Sequence, residues 1–118
     1  MRDAQNIETG YVPNGAPWQP VCGGGVAWGA AMNIIPWEFY LHYGDQKMLE
    51  DNYTAMKEQV KYMLTWQTKE GTMFSQRTNL NETKPVFFLN VGDWAPSYKN
   101  PSDELVHTFY LWRCADYT

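Results

Sequence analysis

The sequence predicts an all-α domain of helix hairpins joined by long loops, and three observations predict it. Between Val26 and Thr68, apolar residues recur at helical spacing on both sides of one Gly-Asp step, Gly44 and Asp45. A further helical stripe, Leu105, Phe109, Trp112 and Tyr117, runs to the end of the chain. The intervening stretches read as loops, residues 7–25 dense in Gly and Pro and residues 71–85 polar. On pattern alone two architectures accommodate this order: an α/α toroid with its site on the loops at one end, and a plain helical bundle.

Each element has its own warrant. Residues 1–6, MRDAQN, suit the last turn of a helix, and the long loop that follows is of a kind that commonly carries function. A helix over Val26–Tyr43 follows from Trp28, Met32, Ile35 and Phe39, widened by Ile34, Trp37 and Leu41. Pro36 inside it implies a kink, or a break with Pro36 at the first position of a new helix. Gly44 suits the left-handed stop, and Asp45 is the N-cap of a second helix over Gln46–Thr68. Its stripe is Leu49, Tyr53, Met56, Val60 and Met63, and Gly71 ends it. The polar run and the apolar VFFLNV after it predict a short β-hairpin or irregular excursion near residues 72–91. Asn100 as N-cap, Pro101 at N1 and Asp103 at N3 then open the last helix. A helix remnant at the start and an uncapped helix at the end predict a segment of a larger helical domain.

Charge and composition exclude several function classes. A net charge of −4 leaves no basic face for phosphates, so nucleic acid is not an expected partner. The longest nearly apolar run, GGGVAWGAAMNIIPW, is too short and glycine-rich to span a bilayer, and residues 1–20 have no secretion-signal pattern. Cys22 and Cys114 match no zinc spacing, and with His42 and His107 as the sole histidines no metal cluster or cofactor is expected. Aromatic residues make up 16% of the chain, so large rings must either fill the core or offer flat faces to a ligand such as a sugar.

No nucleophile elbow, phosphate loop or dinucleotide signature is present, so chemistry would fall to carboxylates. Most acids sit where caps and solvated helix faces account for them: Asp45, Glu50, Asp51, Glu58, Glu70, Asp103 and Glu104. Asp93 has no helix to cap and stands between Gly92 and Trp94, where it reads as a turn residue beside a core ring or as a carboxylate binding sugar hydroxyls beside a stacking indole. Trp28 lies on an apolar stripe but follows a glycine-rich loop that leaves room for a ligand, so core and pocket wall both fit. Trp18 reads as a pocket wall or a cover for the helices, and Glu38 with His42, one turn apart, as a surface or partly buried pair rather than an acid/base couple.

In order and spacing, WGAAMNIIPWEFYLHYGD, NYTAMKEQVKYM, VGDW and SDELVHTFYL resemble the α-L-rhamnosidases of glycoside hydrolase family 78, and the opening DAQNIETGYVPNGAP extends the resemblance over essentially the whole chain. The resemblance implies part of an (α/α)6 barrel, a six-hairpin toroid, cut at both ends, in an enzyme that hydrolyses terminal α-L-rhamnosyl linkages with inversion. Inversion requires a protonated carboxylic acid and a water-activating carboxylate roughly 6.5–9.5 Å apart. Nothing here matches the family's acidic DERxGWTGD-type segment, so its order puts the general acid before residue 1 and the base after residue 118. The resemblance gives Trp28, Asp93 and Trp94 as sugar-binding residues, with rhamnose-containing glycosides as substrates. Ala30 replaces an acidic residue usual after the WG pair, a departure that would fit a shifted sugar preference. Such a segment should leave apolar helix faces uncovered and self-associate.

Overall fold

The computed structural model describes residues 1–15, 26–73, 97, 99 and 101–118. Among these, one 3-10 turn (Arg2–Ala4) precedes four α-helices, α1 (Val26–Gly29), α2 (Ala31–Tyr43), α3 (Gln46–Leu64) and α4 (Asp103–Asp116), and no strand is formed. The helical character predicted from periodicity is therefore correct. The predicted excursion, apart from Thr72 and Met73, lies outside the described residues.

The helix predicted over Val26–Tyr43 is interrupted at Ala30 and not at Pro36, which lies buried within α2. Ala30 keeps helical dihedrals, φ −56 and ψ −22, and its amide donates to the Val26 carbonyl at 3.0 Å. Its carbonyl then accepts from Asn33 as well as Ile34, a local tightening from four-residue to three-residue spacing. Gly29 precedes this seam, and a helical glycine forfeits about 1 kcal/mol relative to alanine, so the regular ladder is weakest there.

The turn between α2 and α3 is as the sequence predicts. Gly44 adopts φ 66 and ψ 14 and donates its amide to the Tyr40 carbonyl at 2.7 Å, while the Asp45 carboxylate accepts from the Lys47 amide at 3.0 Å. At its other end α3 stops at Leu64, short of the predicted Thr68. The amides of Thr65, Trp66 and Gln67 each bond three residues back, and a tight turn follows in which Gly71, at φ 90, donates to Thr68. Gly71 is thus the hinge of that turn and not the helix stop. It brings Met73 back to an isolated antiparallel bridge with Gln67.

The N-cap of α4 is Ser102, where Asn100 was expected. Ser102 has the extended φ −67 and ψ 145 of a cap, and its hydroxyl accepts from the Leu105 amide at 3.3 Å. Pro101 therefore precedes the helix, and Asp103 and Glu104 fall in its first turn, where the helix dipole favours them.

Helices α2 and α3 pack as a hairpin, with α4 laid against α1 and α3. The core joins Val26 and Ala30 to Met63 and Trp66 of the α3 end and to Leu111 and Cys114 of α4. The buried lines are rotated from the predicted stripes. In α3 the line is Met56, Gln59 and Met63, and in α4 it is His107, Leu111 and Cys114. Leu105, Phe109 and Trp112, predicted as the core stripe of α4, are exposed. That helix is apolar on two faces, and only one of them is covered by the described residues.

Residues 1–13 run along α3. The Gln5 side-chain amide donates to the carbonyls of Gly10 and of Ala55, at 3.0 and 2.9 Å, and Arg2 donates to the Asp51 carbonyl at 3.0 Å. Asn6 closes the bend between them, its side-chain oxygen accepting from the amides of Glu8 and Thr9. This brings Val12 into a small cluster with Met32 of α2 and Ala55 of α3.

Candidate functional site

The exposed face of α4 meets the start of α1 and α2 across an open groove of about 880 Å³. Trp28 stands on one side, with Ala31 and Ile35 along the same helical path, and Leu105, Phe109 and Tyr110 form the other side. Small residues make the opening, because Ala27 and Ala31 flank Trp28 and keep the floor low. The walls are almost wholly apolar. Among the described lining residues the polar groups are the Trp28 indole nitrogen and the Tyr110 hydroxyl, and none carries a carboxylate or a titratable base. Such a groove can present flat rings and aliphatic faces to a ligand, and proton transfer would have to come from residues outside it.

The two readings of Trp28 now separate. Its side chain is 47% exposed and borders the groove, so the ring is not core, although its neighbours Val26, Gly29 and Ala30 are buried. Asp93, Trp94 and Trp18 lie outside the described residues, as does Cys22. Ala30, where the resemblance implies an acidic residue, is fully buried in the core, with the Cys114 thiol donating to its carbonyl at 3.8 Å. Trp28 and Ala30 are two residues apart on a helical path, so they face different ways, and Ala30 does not line the groove.

Glu38 and His42 are 3.7 Å apart on the surface of α2, and Glu38 also accepts from Arg113 of α4 at 3.0 Å. Arg113 is held further by its bond to the Tyr117 hydroxyl, which, with burial opposing it, pushes the guanidinium above its already high ordinary pKa. Tyr117 in turn stacks on Trp37, with ring centroids 5.1 Å apart. None of these groups lines the groove; Glu38 and His42 form the surface pair their spacing predicts, and the Glu38–Arg113 bond ties α2 to α4. The Cys114 thiol is pushed up to about 12 by burial, so it is a neutral core group and not a nucleophile.

Leu105, Phe109, Tyr110 and Ile35 are groove residues that periodicity assigned to the core or did not single out. The available signal was the composition of α4, where His107, Leu111 and Cys114 already make one buried face and further apolar residues remain. A second apolar face on such a helix is surplus to the core and marks a surface that something else covers.

Comparison with known proteins adds a family. An alpha-L-rhamnosidase of Alteromonas sp. (strain LOR) is 43% identical over 65 residues, which cover 52% of this chain and 7% of that protein. An alpha-L-rhamnosidase of Formosa agariphila is 28% identical over 71 residues, 60% of this chain and 6% of that protein. The chain thus corresponds to a small part of the length of these curated relatives. No solved structure matches it. The family described as the bacterial alpha-L-rhamnosidase 6 hairpin glycosidase domain matches residues 1–118, from the Gln5 loop through the α2–α3 hairpin to the end of α4. With that match over its whole length, and with the α2–α3 helix hairpin in keeping with the family's description, the chain belongs to the bacterial alpha-L-rhamnosidase 6 hairpin glycosidase domain family.

Proposed function

We propose that the protein carrying this domain hydrolyses terminal α-L-rhamnosyl linkages with inversion, and that this segment of its (α/α)6 barrel supplies part of the sugar pocket and no catalytic carboxylate. The observation that carries the reading is the exposed Trp28 ring on an apolar groove with no acid among its described lining residues. A deoxyhexose such as rhamnose presents C–H faces and a methyl group, which indole and phenyl rings cover well. Trp94 would add a second ring and Asp93 a hydrogen-bond acceptor for the sugar hydroxyls, with the acid and base supplied from beyond this segment. Ala30, which is buried and does not line the groove, leaves a shifted sugar preference as an outcome for the substrate panel to decide.

The test is turnover of 4-nitrophenyl α-L-rhamnoside by the whole protein, with the anomer of the released sugar followed by proton NMR at early times. Release of rhamnose in the inverted configuration is expected, and Trp28→Ala should raise KM about tenfold with a smaller effect on kcat, as loss of a stacking face removes uniform binding. Cleavage of a glucoside or fucoside with no rhamnoside turnover would replace the sugar assignment. Binding of rhamnose without turnover of any glycoside would make the protein a carbohydrate-binding module.

A further inference from the structure

We propose that Gln59 of α3 is a positioning residue that sets the place of Trp28 in the groove by bearing on the backbone of Gly29. The proposal rests on the reading of Trp28 as a wall of the sugar pocket.

Gln59 is fully buried, on the line that α3 presents to α1 and α2. A β-carbon at Gly29 would stand 2.6 Å from the Gln59 amide nitrogen and 3.5 Å from its carbonyl carbon. The end of the Gln59 side chain therefore occupies the space that a side chain at 29 would need. The Val12 carbonyl is 3.5 Å from the same point, so the loop along α3 closes the other side of the seat. One residue earlier in the chain, Trp28 leaves the core and projects beside the groove. One peptide unit separates that point from Trp28, so a displacement of Gly29 carries over to the seat of the indole.

What Gln59 contributes there is length and shape. Neither its amide nitrogen nor its oxygen has a hydrogen-bond partner among the described residues, so the amide is not tied into a network that would explain its presence at a buried site. Asn33, one turn further along α2, behaves differently. Its amide nitrogen donates to the Met56 carbonyl and to the Thr118 hydroxyl, at 3.1 and 2.9 Å, and it pins α2 to α3 in the ordinary way. The two buried amides of this interface therefore have separate tasks, one holding the helices together and the other bearing on the residue beside the candidate stacking ring.

The experiment is a size exchange in the whole protein, read by steady-state kinetics on 4-nitrophenyl α-L-rhamnoside. Gly29→Ala, which crowds the seat, and Gln59→Ala, which empties it, should each raise KM about fivefold with kcat within about twofold. The double variant Gly29→Ala/Gln59→Ala, in which the new methyl fills vacated space, should return KM to within about twofold of wild type. Gln59→Met, which keeps the length and removes the amide, should retain the wild-type KM. Single variants with wild-type KM, or a double variant impaired by the product of the two single effects, overturn the proposal. Should Gly29→Ala fail to fold, Gln59→Ala and Gln59→Met decide alone: a raised KM restored by Met supports positioning, and equal KM values overturn it. Trp28→Ala is the reference throughout. If it leaves KM unchanged, the pocket reading itself has failed, whereas a raised KM in Trp28→Ala with unaffected Gly29 and Gln59 variants rejects only the positioning role.

Discussion

Gly10 and Gly44 both hold a left-handed backbone, φ 77 and φ 66, yet they should respond very differently to the same substitution. At Gly44 an added β-carbon meets nothing within 4 Å, so Gly44→Ala should cost only the conformational penalty, about 1 kcal/mol. At Gly10 the β-carbon would overlap the Glu58 carbonyl oxygen and lie 2.6 Å from its carbon, against main chain in the middle of α3 that cannot rotate away. Ordinary carbon contact begins near ~3.5 Å, so the loop must retreat by about 1 Å. That retreat strains the seat of the loop, at about 1–3 kcal/mol for an overpacked site. It also pulls on the Gln5 amide, which bridges Gly10 to Ala55, and loss of one such bond adds about 1 kcal/mol. Gly10→Ala should therefore cost about 3–5 kcal/mol in all. Urea titration followed by far-ultraviolet circular dichroism on both variants isolates the contact, because the conformational penalty is common to them. Equal losses of stability at the two glycines would refute the reasoning.

Further outcomes follow from the caps, the core thiol and the uncovered face of α4. Ser102→Ala should lower stability by about 1 kcal/mol and Ser102→Asp should preserve it, as thermal melts of the two variants would register. Cys114 should resist a thiol reagent at pH 8 until the chain unfolds, with the labelled peptide quantified by mass spectrometry. Burial raises its folded pKa above the unfolded value, so its contribution to stability is complete below about pH 9.0 and declines as pH rises towards about 12. This chain by itself should self-associate in light scattering through Leu105, Phe109 and Trp112, and Phe109→Gln with Trp112→Gln should reduce the apparent mass.

The parts of the fold that were legible are those decided by a few adjacent residues. Gly44 and Asp45 specify a helix stop and a cap by local geometry alone, and the structure follows them. Choices between neighbouring candidates were not decided locally. Asn100 and Ser102 are both good caps, and Ser102 takes the role because its side chain reaches the Leu105 amide. Pro36 looked like the weak point of its helix, but the interruption falls at Ala30, beside Gly29, where the end of Gln59, thirty positions away, fills the space a side chain would take. The buried lines of α3 and α4 contain Gln59 and His107, and a reading that tracks apolar residues steps over them onto the exposed face. At the site, sequence reasoning singled out Trp28 but left its direction open, because a ring at the edge of an apolar stripe belongs to core or surface according to what the next helix leaves uncovered.

The Gly44–Asp45 turn carries one more consequence. Residues 40–47 are exposed throughout, and the two helices on either side are joined elsewhere by the Asn33 bond to the Met56 carbonyl and by the cluster of Val12, Met32 and Ala55. Covalent continuity at this turn is thus a convenience of synthesis and not a clamp. The backbone there should accept an inserted tag, or a protease cut that leaves the two halves associated, which makes it the place to attach a reporter without disturbing Trp28.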